Sequence, residues 1–388
     1  MPDLSLAVPK RFNNVVELLN EAIHQKAFPG GVLAAGYGRA AASAEPPMPA
    51  LNVLPVGKLS YEDASPAVTP DTVYDLASLT KVVATTTASM ILVERGVLAL
   101  DKPVSNYLPD FVQPYDTAVD PLWAARGDVT VRHLLAHTSG LPAYEKFFLW
   151  AREKSHVLEQ ALALPLEDVP GRRTHYSDVG SILLGEILER VANENLDGFC
   201  RREIFAPLQM RHTCFNPPQE WRELIAPTEF DETFRKRLVR GEVHDENAWV
   251  MGGVAGHAGL FGSAGNLALF CRMMLQGGRV GTSKDGIQLV QAATIQEFTR
   301  AWPASEGSPR GLGWDKPCEP SSAGRYFSPS SYGHLGYTGT SFWIDPEKDL
   351  YVVLLTNRVH PSRSNEAIRN IRPAVHDAVV EALSKILA

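Results

Sequence analysis

The spacing of hydrophobic and polar positions changes along the chain. Near the start, apolar residues from Val15 to Ile23 recur at helical intervals, which predicts an amphipathic helix within 1–26. Short apolar runs bounded by glycine, proline and polar residues predict strands instead, and they lie near the two ends of the chain. The predicted strands are 32–37, 51–61, 332–335, 341–344 and 350–356. A last helix is predicted over 365–387.

Between about 80 and 300 the pattern is mainly helical, with predicted helices from Ser78 onward and over 129–137, 181–192 and 267–275. We therefore predict an α+β fold, in which an antiparallel sheet flanked by N- and C-terminal helices carries an inserted all-helical lobe. The whole chain, 1–388, is expected to form one domain. Its mixed lobe would comprise 1–75 and 305–388, its helical lobe 76–304, and a functional site would lie in the cleft between them.

Composition excludes several classes of partner. The 388 residues are 45% hydrophobic, and the formal charge of −7 is spread over interspersed acidic and basic residues, so no nucleic-acid partner is expected. The four cysteines form neither a CxxC motif nor a paired framework. No secretory signal pattern and no apolar run of roughly 20 residues is seen, so we expect a cytoplasmic protein without a membrane partner. The oligomeric state is not predicted.

The segment 72–93 holds the strongest candidate chemistry. Ser78 and Lys81 are three residues apart, so on a helix their side chains share one face. A serine hydroxyl needs a neighbouring base, and a lysine serves as that base when burial depresses its pKa. Ser78 would also lie at the helix N-terminus, where its own N–H is free to stabilise an oxyanion. The alternative is an ordinary amphipathic helix with Lys81 extending to water.

Tyr176-Ser177-Asp178 immediately precedes the predicted helix at 181–192 and therefore belongs on a loop. A tyrosine near cations can relay protons between a serine nucleophile and a leaving group. The alternative is a packing aromatic followed by an aspartate that caps the helix.

The segment 333–340 contains three glycines at a strand end. Glycine weakens a strand unless another backbone or a ligand must come close, so this strand could present the N–H of Tyr337 as a second oxyanion donor. His334 and Gly336 would then lie beside the substrate. A bulged edge strand with a surface histidine is the alternative.

Other motifs are weaker candidates. His133 and His137 have the spacing of a zinc pair but lack the glutamate of HExxH, and His244, Asp245 and His257 could form a second metal cluster. Neither is favoured, and no metal or cofactor is predicted. Gly262-Ser263-Ala264-Gly265 is close to a nucleophile elbow, but Phe261 replaces the first glycine of GxSxG.

Together, Ser78-Leu79-Thr80-Lys81, Tyr176-Ser177-Asp178 and His334-Leu335-Gly336 resemble the three motifs of the serine β-lactamase and penicillin-binding superfamily. The chain is most similar to its class C branch, which includes D-alanyl-D-alanine carboxypeptidases and family VIII carboxylesterases. The segments 133–142 and 339–346 support the resemblance, which spans roughly residues 10 to 385. It implies the β-lactamase/transpeptidase-like fold.

The resemblance also implies roles for individual residues. Ser78 would be the nucleophile, Lys81 its base and Tyr176 the proton relay, with the N–H groups of Ser78 and Tyr337 as the oxyanion hole. The remaining motif residues, Asp178, His334 and Gly336, would bind substrate.

This sequence departs from the family pattern at three of the motif positions. Asp178 replaces an asparagine, His334 replaces the lysine of KTG, and Leu335 replaces its threonine. The lost lysine charge and hydroxyl are what a β-lactam or peptide carboxylate would bind.

Three hypotheses follow. The first is a cofactor-free serine hydrolase that cleaves a small ester, or an amide, through an acyl-enzyme on Ser78. The second keeps this chemistry but acts on D-amino-acid peptides or, weakly, on β-lactams. The third is a non-catalytic binding protein on the same scaffold, which labelling by a fluorophosphonate would argue against.

Overall fold

A computed structural model describes residues 9–38, 51–112, 122–281, 286–304 and 306–384. Its largest sheet is antiparallel and has five strands in the order β10-β11-β12-β1-β2. The strands of the described residues are β1 Gly30–Tyr37, β2 Asn52–Gly57, β3 Val73–Asp75, β4 Thr213–Phe215, β5 Phe230–Asp231, β6 Arg237–Leu238, β7 Leu260–Ser263, β8 Arg279–Val280, β9 Ile287–Gln288, β10 Tyr332–Leu335, β11 Ser341–Asp345 and β12 Leu350–Thr356.

Strands from both ends of the chain meet at the centre of this sheet. β1 pairs with β12 from Gly31 opposite Thr356 to Tyr37 opposite Leu350. Both strands are buried along their whole length, because each face of the sheet is covered by helices. This double burial explains why β1 and β12 read as continuous apolar runs rather than as alternating patterns.

Helices cover the two faces of the sheet separately. One face packs against α1 and α10, and the other packs against α8 and the helical segment of the chain. The α-helices of the described residues are α1 Asn13–His24, α2 Thr87–Glu94, α3 Val131–Leu135, α4 Lys154–Ala163, α5 Asp178–Ala192, α6 Leu196–Cys200, α7 Glu246–Val250, α8 Ala264–Leu275, α9 Ala292–Thr299 and α10 Ile368–Ser384. A π-helical stretch, Lys81–Thr86, leads into α2.

The predicted α+β class is confirmed, and the strands predicted at 332–335 and 350–356 have the predicted bounds. The segment 76–304 is not made of helix alone, because β4 and β7 form a three-stranded sheet with β3. α8, although it lies within 76–304, packs on β1 and β12. The division into two lobes therefore stays a prediction. None of the helices in the described part of the chain has the length and apolar character that a bilayer crossing requires.

Packing of the sheet face under α1 and α10 should contribute strongly to the free energy of unfolding. Leu354 on β12 is fully buried there, so Leu354→Ala should lower the free energy of unfolding by about 2–5 kcal/mol through lost burial and an unfilled cavity. Leu149, which is 61% exposed, provides the matched control. Leu149→Ala should change the free energy of unfolding by less than about 0.5 kcal/mol. Urea unfolding measures both, and equal losses would contradict this packing.

Candidate active site

Ser78 lies on a sharp turn between β3 and the helix that follows. Ala77 has φ +47°, a left-handed backbone conformation that a non-glycine residue adopts only when its surroundings hold it there. Asp75 helps to stabilise this conformation, because its Oδ1 accepts a hydrogen bond from the Ala77 N–H at 2.8 Å. Ser78 remains partly exposed, whereas Ala77 and Leu79 on either side are buried. The turn thus presents the hydroxyl to solvent.

Lys81 points back along the helix toward this hydroxyl, as the three-residue spacing predicts. Its Nζ is 3.1 Å from Ser78 Oγ, and it donates a second hydrogen bond to the carbonyl of His257 at 2.9 Å. The side chain is only 3% exposed. The alternative in which Lys81 extends to water is therefore wrong.

The charge state of Lys81 differs from the expectation. Its Nζ lies 2.7 Å from Oδ1 of Asp178. Burial alone would lower the pKa of Lys81, but the Asp178 carboxylate and the Tyr176 phenol outweigh it, and the pKa of Lys81 is raised. The resting site therefore holds an ammonium–carboxylate pair rather than the neutral amine that burial predicts, because the sequence alone did not show that Asp178 reaches Lys81.

Tyr176 lies over the same ammonium, with Lys81 Nζ 4.9 Å from its ring centre. Its hydroxyl is buried without a well-formed hydrogen bond to any described residue, and burial raises the pKa of Tyr176. The helix cap beside it is Ser177, whose Oγ accepts from the Gly180 N–H at 2.9 Å, and not Asp178 as the capping alternative supposed. Asp178 is thereby left free to face Lys81.

His137 holds the Tyr176 loop in place. Its ring packs against the Tyr176 ring at 4.6 Å between centres, and its Nδ1 accepts from the Ser177 N–H at 3.1 Å. Its carbonyl accepts from the His175 N–H at 2.7 Å. These contacts of His137 fix the Tyr176 loop, and the zinc-pair alternative, which the sequence did not favour, finds no support among the described residues. The signal was present in the segment 133–142, but only the fold shows which loop His137 contacts.

The strand end at 333–340 packs directly behind the Ser78 turn. Thr338 donates to the Asp75 carbonyl at 2.7 Å, and Thr340 donates to the Leu76 carbonyl at 3.1 Å. Gly336 allows this approach, since a Cβ there would come within 2.6 Å of the Leu76 carbonyl oxygen. Gly336 lies outside the cavity lining, so the geometry favours a packing role over substrate binding.

The backbone N–H groups of Ser78 and Tyr337 donate to no acceptor among the described residues. Both residues line one cavity of about 480 Å³, together with Tyr176 and Asp178. Parts of the segments 144–150 and 244–249 form its walls. Trp314 does not line it and is buried against Phe270 and Phe342.

His334 lies behind Tyr176 rather than in the cavity. Its Nδ1 faces the carbonyl oxygen of Leu335 at 2.8 Å, so this nitrogen must carry the proton, and its Nε2 faces the Arg310 guanidinium at 3.3 Å as an acceptor. Burial, partly opposed by Asp315, lowers the pKa of His334 to about 4. A neutral, buried imidazole therefore occupies the lysine position of the third motif, and its predicted contact with substrate is not favoured.

The polar residues of the far wall are paired with one another. His257 contacts Asp245 at 2.9 Å, and His244 contacts Glu229 at 2.9 Å. Arg363, which no sequence pattern singled out, binds both Glu229 and Glu246. Among the residues that the structure describes, no group of three histidine, cysteine or acidic side chains could hold a metal ion. The metal-cluster alternative at His244, Asp245 and His257 thus finds no support.

Comparison with known proteins agrees with the three-motif resemblance. The family model described as Beta-lactamase matches residues 19–376 of this chain. An Escherichia coli (strain K12) protein provisionally named a D-alanyl-D-alanine carboxypeptidase is 36% identical over 320 residues, which cover 75% of this chain and 70% of the relative.

Two solved structures have the same fold. EstCE1, described as a hydrolase with promiscuous acyltransferase activity, matches with a TM-score of 0.71 at 22% identity and covers 97% of this chain and 100% of its own. A class C beta-lactamase from Rhodobacter sphaeroides matches with a TM-score of 0.68 at 20% identity and covers 97% of this chain and 100% of its own. This chain is a serine hydrolase that belongs to the Beta-lactamase family.

Proposed function

We propose that this protein hydrolyses small carboxylic esters through an acyl-enzyme on Ser78. The observation that carries the proposal is the 3.1 Å contact between Lys81 Nζ and Ser78 Oγ at the wall of a cavity. Ser78 and Tyr337 both line this cavity, and their backbone N–H groups donate to no acceptor among the described residues. A nucleophile, a base within hydrogen-bond reach and oxyanion donors are the parts that acyl transfer needs.

The raised pKa of Lys81 sets how acylation begins. Only the fraction of enzyme with a neutral Lys81 can take the Ser78 proton, so that fraction limits the rate at neutral pH. As Oγ bonds to the substrate carbonyl carbon, the proton passes to Lys81 Nζ, and the Tyr176 hydroxyl delivers a proton to the departing alkoxide. Water then attacks the acyl-enzyme and gives its proton to the Tyr176 phenolate, while Lys81 returns a proton to Ser78 Oγ as the acid product leaves. This restores neutral Lys81 and the Tyr176 phenol, and proton uptake from solvent re-forms the resting ammonium.

Charge in the cavity supports esters over carboxylate-bearing substrates. The third-motif position carries neutral, buried His334, which offers no positive charge. Of the two basic side chains among the described cavity walls, Arg363 is already bound to two carboxylates and Lys146 is exposed. A small uncharged ester needs neither of them.

A D-amino-acid peptidase is the second candidate, and the name of the Escherichia coli relative supports it. A carboxypeptidase must bind a terminal carboxylate, for which Arg363 would have to exchange a carboxylate partner for the substrate. Weak β-lactamase action would make the same demand. We therefore rank both below ester hydrolysis.

Replacing the nucleophile tests the proposal directly. Ser78→Ala should reduce the kcat/KM for p-nitrophenyl acetate by at least about 10³-fold, because no acyl-enzyme can form. Mass spectrometry should find an acyl adduct or a fluorophosphonate label on Ser78 in the wild type and none in the variant.

Ser263→Ala is the matched control, because Ser263 belongs to the rejected elbow-like motif and caps α8. This variant should keep wild-type kcat/KM. Equal rates in wild type and Ser78→Ala would remove Ser78 from the mechanism, and the non-catalytic hypothesis would gain if wild type also resisted labelling.

The ion pair predicts a pH dependence. Burial lowers the pKa of Lys81 and Asp178 raises it, so Asp178→Asn should lower that pKa. Lys81 would then be neutral at lower pH, and the pH range in which kcat/KM rises should move down with it. Asp178→Glu keeps the charge and should leave this pH range near its wild-type position. The measurement is kcat/KM against pH, with Ser78→Ala as the background. A pH range that stays fixed in Asp178→Asn would contradict this account of Lys81.

Substrate pairs distinguish the two candidate functions. Release of D-alanine from acetyl-D-alanyl-D-alanine and of D-alaninamide from its C-terminal amide should differ by less than about threefold. Among the described cavity walls, Arg363 is already paired with two carboxylates and Lys146 lies in solvent, where its charge is screened and contributes little to binding. Both peptide substrates should be slower than p-nitrophenyl acetate. A preference of more than about tenfold for the free acid would make peptidase activity the better assignment.

A further inference from the structure

A buried arginine contacts the turn that carries the second oxyanion donor. Arg372 lies on α10 and is 6% exposed. Its Nη2 donates to the carbonyl oxygens of Gly336 and Thr340, each at 3.0 Å. Among the described residues, no carboxylate forms an ion pair with Arg372.

Burying a cation without a carboxylate is unfavourable, and an apolar side chain of similar size would avoid the cost. Burial, with the nearby charge of Arg358 adding to it, lowers the pKa of Arg372 to about 9. The guanidinium is therefore held at this position chiefly by carbonyl oxygens. The peptide groups that supply those oxygens indicate what it does there.

The Gly336 carbonyl belongs to the same peptide group as the Tyr337 N–H. A donor bound to the oxygen of a peptide withdraws electron density and makes its N–H a stronger hydrogen-bond donor. It also fixes the plane of the peptide, and with it the direction in which the N–H points.

The peptide groups on either side of the Tyr337 N–H form hydrogen bonds within the protein. The Gly336 N–H donates to the Thr340 carbonyl at 2.7 Å, and Arg358 Nε donates to the Tyr337 carbonyl at 2.7 Å. The peptides on either side of the Tyr337 N–H are thus fixed by hydrogen bonds, while the N–H itself faces no protein acceptor among the described residues.

We propose that Arg372 is a positioning residue of the oxyanion hole, which holds and polarises the Gly336–Tyr337 peptide so that the Tyr337 N–H binds the developing oxyanion. This inference rests on the proposed acyl-enzyme function of the same cavity. Arg372 touches neither substrate nor Ser78, and it acts only through the peptide bond.

Arg126 provides a matched control for a merely structural arginine. It is fully buried, and its guanidinium also donates to backbone carbonyls, those of Phe111, Leu162 and Leu164. It does not line the active-site cavity. Arg126→Met and Arg372→Met therefore each remove a buried guanidinium that donates to backbone carbonyls.

The experiment compares Arg372→Met, Arg372→Lys and Arg126→Met with wild type in p-nitrophenyl acetate hydrolysis, with thermal melting to record stability. Arg372→Met should lower kcat about 10- to 100-fold with KM changed less than threefold, a smaller loss than the 10²- to 10³-fold seen when an oxyanion donor is removed outright. Arg372→Lys should recover part of the loss. Arg126→Met should keep wild-type kcat.

Phenylboronic acid, which forms a tetrahedral adduct with a serine nucleophile, supplies a readout that misfolding does not imitate. Its Ki should rise about tenfold in Arg372→Met and stay unchanged in Arg126→Met.

In the hydrolysis and inhibition assays, either of two results would overturn the inference alone: a loss of kcat in Arg372→Met no greater than in Arg126→Met, or an unchanged Ki for phenylboronic acid. If a fluorophosphonate fails to label Ser78 in the wild type, the proposed function fails and the inference fails with it. Labelling of wild type and Arg372→Met at equal rates would leave the function standing and remove Arg372 from it.

Discussion

The site depends on one strained turn and on what holds it. Ala77 adopts a left-handed backbone that aims Ser78 into the cavity, and Asp75 stabilises it through the Ala77 N–H. The second oxygen of Asp75 accepts a hydrogen bond from the His244 N–H at 2.6 Å, so the same carboxylate also fixes the cavity wall that contains His244. Strain of this kind persists only where several contacts fix the conformation. Here the contacts come from the chain around Asp75, His244 and Thr338.

The electrostatics of the cavity depend on the pairing of its acidic side chains with basic or imidazole groups. Each described acidic group that lines it has a basic or imidazole partner: Asp178 has Lys81, Asp245 has His257 and Glu246 has Arg363. A paired wall of this kind attracts a charged substrate weakly, whereas removing one partner leaves a buried charge uncompensated. The proposed mechanism depends on the Lys81–Asp178 pair, because a neutral Lys81 amine is required there for part of the cycle.

Several buried groups contact the backbone or the side chains around the cavity without lining it. His137 holds the Tyr176 loop through the Ser177 N–H, and neutral His334 packs behind the Tyr176 ring at 5.9 Å between centres. Arg372 donates to the carbonyl oxygen of the peptide that precedes Tyr337. The candidate catalytic groups are few, and a larger set of buried hydrogen bonds keeps them within reach of one another.

The sequence by itself determined the strands of the five-stranded sheet, the two terminal helices and the pairing of Ser78 with Lys81, since these follow from local periodicity and from spacing along one helix. It also showed that three motifs belong together, although it could not show the contacts between them. It did not predict the three-stranded sheet of β3, β4 and β7. Only the tertiary structure decided that Asp178 reaches Lys81 and raises its pKa, that His334 is buried and neutral, and that Arg372 meets Gly336. Each of these contacts joins residues distant in the chain, and burial and charge at such contacts depend on the packed neighbours rather than on local sequence.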